Sequence, residues 1–289
     1  MAEKAVPTAR AQESGAGRAP RGLAQVTHVH APIRSTALAV LALAVVSVLS
    51  FPSLGGAGIP APSIEHAAVL TPDGTDGYAF DAVRDTVTVS TNSGNRTANL
   101  RTVFWASDAA VERDSTTCAT WSAESSDRVQ QGAALRISDQ PGRGVRAITV
   151  TKNVFPYGSW VFNVHIWDSG TGRMDKLVSI DLAPVLAIAG DPPHPRALPW
   201  RVCARAVGRT LSFKAWATAD AEPEWGDPGH GASVQLPTDA PTSGYSGWYA
   251  GHLGPGMTVE YSDLRTDAVA AAPVVALPTP TDTAAVLAR

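Results

Sequence analysis

Between residues 200 and 217 the chain reads WRVCARAVGRTLSFKAWA. Trp200, Val202, Ala204 and Ala206 fall on one side of an extended strand. After the Gly208-Arg209 turn, Leu211, Phe213 and Ala215 return to that side. Arg201, Cys203, Arg205, Ser212, Lys214 and Trp216 take the other side. A period of two on both arms of a glycine turn specifies an antiparallel hairpin with one apolar face. A helix would repeat its apolar residues every three to four positions, and this stretch does not.

The same rhythm extends outward in both directions. Strands are expected at 83–91, where Val83, Asp85, Val87 and Val89 share a side, and at 101–108. Another is expected at 132–139, with Ala133, Leu135 and Ile137 set against Ala134, Arg136 and Ser138. Further strands are expected at 145–154, 159–168, 176–183, 247–253 and 257–266, separated by Gly, Asp and Pro turns. A polar, irregular stretch fills 218–246. Ten to twelve strands exceed the number in an immunoglobulin-like sandwich and fit an antiparallel jelly-roll β-sandwich, an all-β fold.

Composition narrows the function classes. With 44% hydrophobic and 17% charged residues, the chain as a whole is not disordered. The net charge of −3 argues against binding nucleic acid through phosphates. That average is uneven: residues 1–35 carry +3, hence −6 lies on the rest. Ala37–Leu49 is almost wholly apolar behind Arg34, with small residues following, the pattern of a secretory signal. The expected organisation is a disordered basic region at 1–35, a signal peptide or membrane-anchor helix at 36–54 and a linker at 55–63. The β-sandwich follows at 64–267, and a mobile tail at 268–289. The body is expected outside the membrane, secreted or on its outer surface, with the membrane a partner only if the segment stays uncleaved. In that oxidising compartment the two cysteines, Cys118 and Cys203, are expected to form a disulfide.

Trp200-Arg201-Val202, Arg205-Ala206-Val207-Gly208, Lys214-Ala215-Trp216 and Glu222-Pro223-Glu224-Trp225 resemble the final hairpin of LamG-like modules. Gly247-Trp248-Tyr249-Ala250-Gly251 and Val259–Arg265 resemble the last strands of the same family. These modules belong to the concanavalin A-like lectin/glucanase superfamily and are frequent in secreted actinobacterial proteins. The resemblance is carried by 200–267, with 130–182 compatible in rhythm. It implies a jelly roll of two sheets whose concave face or rim often meets sugars, without fixing one function. It also admits calcium, which such modules sometimes carry. Asp73–Gly77 and Asp168-Ser169-Gly170 look like calcium loops but supply too few oxygens, and plain turns are expected.

Sugar recognition needs aromatic faces for C–H packing and polar groups for hydroxyls. On 159–168, Trp160, Phe162, Val164 and Ile166 form a core face, while Asn163, His165 and Trp167 form a polar-aromatic row. Trp225, Trp248, Tyr249 and His252 are a second candidate group. A hydrolase of this superfamily carries paired carboxylates as Glu-x-Asp-x-x-Glu on one strand, and no strand here shows that spacing. The expectation is therefore a non-catalytic carbohydrate-recognition module binding a glycan or another cell-envelope component, with no required cofactor. The alternatives are a structural or adhesive protein with a protein partner and a diverged glycoside hydrolase.

Overall fold

The structure, a computed structural model, describes residues 62–69, 77–91, 100–154, 160–188 and 191–270. The basic region, the apolar segment, nearly all of the linker, the Asp73–Asp76 part of the first candidate calcium loop and the tail from 271 lie outside the described residues. Among the described residues no helix is long and apolar enough to cross a membrane.

Sixteen strands are described: β1 (Ile64–Ala68), β2 (Tyr78–Val83), β3 (Thr86–Thr91), β4 (Arg101–Ala106), β5 (Ser115–Glu124), β6 (Gln130–Gln140), β7 (Gly144–Val154), β8 (Trp160–Asp168), β9 (Arg173–Ile180), β10 (Ala187–Ile188), β11 (Asp191–Pro195), β12 (Trp200–Val207), β13 (Thr210–Ala217), β14 (Gly231–Gln235), β15 (Tyr245–Gly251) and β16 (Thr258–Ala268). One short helix, α1 (Ala183–Leu186), precedes β10. Two seven-stranded antiparallel sheets form the sandwich. Sheet A has the order β1-β4-β15-β6-β7-β8-β9, and sheet B the order β14-β13-β12-β5-β16-β3-β2. A two-stranded pair, β10 and β11, stands apart from both.

The hairpin behaves as its alternation predicts. Trp200 faces Ala217, Val202 faces Ala215 and Ala204 faces Phe213, all on the side that meets sheet A. There Trp121, Trp200 and Phe213 from sheet B interlock with Trp160 and Phe162 from sheet A, with ring centroids 5.7–6.4 Å apart. Such aromatic burial is the largest contribution a small sandwich core can draw on. On the other side of sheet B, Cys203 lies directly opposite Cys118 on β5, and the two form the expected disulfide with Cα atoms 4.1 Å apart.

Three local readings are corrected. The expected strand 83–91 is a hairpin, because the chain turns at Arg84-Asp85 with Arg84 at φ 58°, so Val83 and Val87 belong to different strands. In β6 a bulge between Leu135 and Ser138 breaks the alternation. Arg136 takes φ 52° there, and Ile137 leaves the core face for a second apolar cluster with Ala134 and Trp167. The bulge is held by its own arginine. Arg136, buried at 2% exposure, donates to the carbonyls of Arg113, Pro241 and Gly208 and pairs with Asp114. Finally, β14 lies inside the supposedly irregular 218–246 stretch and edges sheet B.

Candidate functional site

Strand β8 divides its side chains as predicted. Trp160, Phe162, Val164 and Ile166 enter the core between the sheets. Asn163, His165 and Trp167 therefore point to the outer face of sheet A, where antiparallel register sets their neighbours. Thr151, Thr149 and Ala147 of β7 lie opposite them, and Ser179, Lys176 and Met174 of β9 flank the other side. The same face continues through Gly132 of β6 and Tyr249 of β15 to Val103 of β4.

Trp167 is the centre of this surface. Its indole N–H donates to Thr149 Oγ1 at 2.8 Å, which fixes the ring plane. The His165 ring lies 5.2 Å away and the Tyr249 ring 6.2 Å away, the latter nearly parallel. The Arg101 guanidinium stands 5.6 Å from the Trp167 ring centroid. Arg101 Nη2 also donates to His252 Nε2 at 3.1 Å, so the His252 proton sits on Nδ1. Ser179 donates to Asn163 Oδ1 at 2.7 Å. The Tyr249 hydroxyl donates to Gln130. His165 Nδ1 is buried and has no hydrogen-bond partner among the described residues.

These groups are held neutral. Burial, with the Arg101 charge adding to it, pushes both His165 and His252 down to about 4, and Lys176 adds a smaller push on His165. Burial also drives the Tyr249 phenol above its ordinary range, so it keeps its proton. Arg101 and the flanking Lys176 apart, the named side chains of this surface are uncharged donors and acceptors beside aromatic rings. It is also enclosed: Asn163 is 4% exposed, His165 7%, Trp167 2% and Tyr249 0%.

The structure thus regroups the candidates. Asn163, His165, Trp167, Tyr249 and His252 come together on one face. Trp248 does not join them. It turns into the core against Phe104, 5.7 Å away, and its N–H donates to the Cys118 carbonyl. Adjacent strand residues point in opposite directions, so Trp248 and Tyr249 could never have shared a surface. Trp225 lies on the outer face of sheet B, stacked by Arg205 at 4.4 Å and Lys214 at 4.8 Å. Lys214 in turn bonds Glu222 and the Pro223 carbonyl, so Glu222 pins its own loop. Arg101, Gln130 and Thr149 are members the sequence reading missed. The alternation of Arg101, Val103 and Trp105 carried the signal for Arg101.

Asp168-Ser169-Gly170 is a turn whose carboxylate accepts the Thr171 N–H and pairs with Arg146. Among the described residues no three His, Cys, Asp or Glu side chains gather as a metal site.

No protein-family model and no curated protein sequence matches the chain. Solved structures do resemble it in arrangement. A carbohydrate binding module, CBM66 from Bacillus subtilis, aligns at 8% identity over 72% of this chain and 97% of its own, with a TM-score of 0.44. The exoplasmic/lumenal domain of VIP36, in a Ca2+/Man3GlcNAc-bound form, aligns at 10% identity over 74% and 89%, with a TM-score of 0.43. A legume lectin-like domain from Entamoeba histolytica aligns at 8% identity over 72% and 90%, with a TM-score of 0.39. At these values the likeness concerns the course of the chain alone.

Proposed function

We propose that the chain is an exported, non-catalytic glycan-recognition module of the LamG-like, concanavalin A-like jelly-roll type. The observation that carries this reading is the outer face of sheet A. With that face opened, Trp167 and Tyr249 would present ring faces to sugar C–H groups, and Asn163 and the neutral His165 would present hydrogen bonds to hydroxyls. The buried, unpartnered Nδ1 of His165 leaves a bond for a ligand to complete. The row is enclosed, so this reading requires the face to open before a sugar can reach it. Export is supported by the basic and apolar N-terminal pattern and by the disulfide, which belongs to an oxidising compartment. An adhesive or structural role with a protein partner at the cell envelope is the second reading. It is favoured by the same enclosure, under which the row is a second core.

A glycan array separates the two. The recognition reading expects saturable binding to at least one glycan class. That binding should be lost in Asn163→Ala and His165→Ala proteins that keep the wild-type circular dichroism spectrum. An array without signal, together with co-purification of an envelope protein, would establish the second reading instead.

A further inference from the structure

The outer face of sheet A keeps its aromatic rings covered, and the groups beside them respond to protons. Arg101 stands nearest the centre. Its guanidinium lies 5.6 Å from the Trp167 ring centroid and also bonds the Tyr249 hydroxyl. Its Nη2 is anchored through His252, donating to Nε2 at 3.1 Å. His252 is half-buried and takes φ 58° where the chain leaves β15. A non-glycine residue in that left-handed region is held by its surroundings, and here the His252 N–H donates to the Leu100 carbonyl at 2.8 Å. The second histidine, His165, has its ring 5.2 Å from that of Trp167 and Lys176 of β9 opposite it in register.

The charges that act on these two rings are of one sign. β4 brings Arg101 and β9 brings Lys176. β7 presents Thr149 and Thr151, β6 presents Gln130, and β15 presents the Tyr249 phenol, which keeps its proton. Carboxylates in register with this face stand at its margins: Glu65 of the edge strand β1, opposite Trp105, and Asp139 at the exposed end of β6, opposite Val145. A proton on His252 Nε2 removes the acceptor that anchors Arg101 and sets two cations 3.1 Å apart. A proton on His165 places an imidazolium beside Lys176 in a buried setting, where like charges repel strongly. In the closed face both rings are held down to about 4, so acid favours the arrangement that gives them to water.

We propose that the Arg101–His252 pair is a lid over Trp167 that mild acid releases, opening the outer face of sheet A while the core between the sheets stays closed. As a control on sugar access the lid rests on the glycan-recognition reading; as a property of this face it does not. From pH 7 to 5 the linkage raises the opening equilibrium about twentyfold for each ring and about 500-fold for both.

The test is solvent exchange of the indole N–H groups in the full chain, followed by NMR from pH 7 to 5 and corrected for the exchange rate of free indole. The Trp167 N–H, bonded to Thr149 Oγ1, should lose protection by about 500-fold, at a rate unaffected by sub-denaturing urea. The Trp248 N–H, bonded to the Cys118 carbonyl between the sheets, should stay better protected at every pH and respond to urea. His252→Gln keeps an acceptor for Arg101 that does not titrate, so the loss at Trp167 should shrink to about twentyfold. The His165→Gln, His252→Gln double variant should show none. A Trp167 rate that climbs with urea as steeply as that of Trp248 would mean exchange through global unfolding and would overturn the lid. So would protection at Trp167 that is equal at pH 7 and 5, or a double variant that responds like the wild type. A glycan array at both pH values judges the sugar reading separately: binding that tightens in acid supports both, while an opened Trp167 with no glycan bound at either pH upholds the lid and overturns the sugar.

Discussion

The neutral histidines of the outer face make the module acid-sensitive in a defined window. His165 and His252 each fall from 6.5 in the unfolded chain to about 4 in the fold. Between those values the unfolded chain binds protons that the native state excludes. Stability is therefore full above about pH 6.5 and declines as pH falls toward about 4. Lowering the pH from 7 to 5 costs about 2 kcal/mol for each ring by this linkage, or about 4 kcal/mol for both. For a sandwich of this size that corresponds to a drop in Tm of about 8–15 °C. The physical source is first the burial of both rings, to which the Arg101 charge adds at both and Lys176, opposite His165, adds a smaller push. Protonated His252 would also lose its acceptor role toward Arg101 and bring two cations together. The assay is differential scanning calorimetry from pH 7 to 5 on the wild type and on a His165→Gln, His252→Gln double variant. Carboxylates common to both proteins cancel in the comparison, so the double variant should lose about 8–15 °C less. Equal losses would refute the reasoning, as would NMR titration of either ring near its ordinary value.

Two further perturbations address the sandwich itself. Replacing Cys118 and Cys203 with Ala opens a loop with a sequence separation of 85, which on the chain-entropy model costs about 4–5 kcal/mol and is read from urea midpoints. Trp248→Ala should cost about 3–5 kcal/mol by leaving a cavity between the sheets. Trp225→Ala, at a half-buried ring that serves Arg205 and Lys214, should cost less than about 2 kcal/mol, and equal losses at the two positions would contradict their placement.

The parts of this fold legible in the sequence are those where alternation runs uninterrupted and a glycine or proline marks its end. Residues 200–217 meet both conditions, and both faces of the hairpin follow. Residues 159–168 meet the first, so the division between Phe162 and His165 was visible before any register was known. The failures have equally local causes. Arg84-Asp85 turns without glycine, because Arg84 itself adopts the left-handed conformation, and nothing in an alternating run announces that. The β6 bulge is invisible for a related reason. It is stabilised by carbonyls of Arg113, Gly208 and Pro241, which are distant in the chain. β14 is short and polar because it edges sheet B, where one side of the backbone goes unpaired and apolar patterning is not required.

The candidate site was legible only within strands, not between them. Alternation placed Asn163, His165 and Trp167 on one face, yet Tyr249 joins them through β6 and β7, and that order is a property of the topology. Grouping Trp248 with Tyr249 relied on chain proximity, which in a strand is the wrong measure: neighbours in sequence are the residues least able to share a surface. The same rule explains Lys152. Lys152 reads as a surface residue within TVTKNV, but its pairing with Phe162 puts it on the core side of β7. A lysine can occupy that position only if an anion reaches it. Glu124 of β5 supplies that anion from the other sheet.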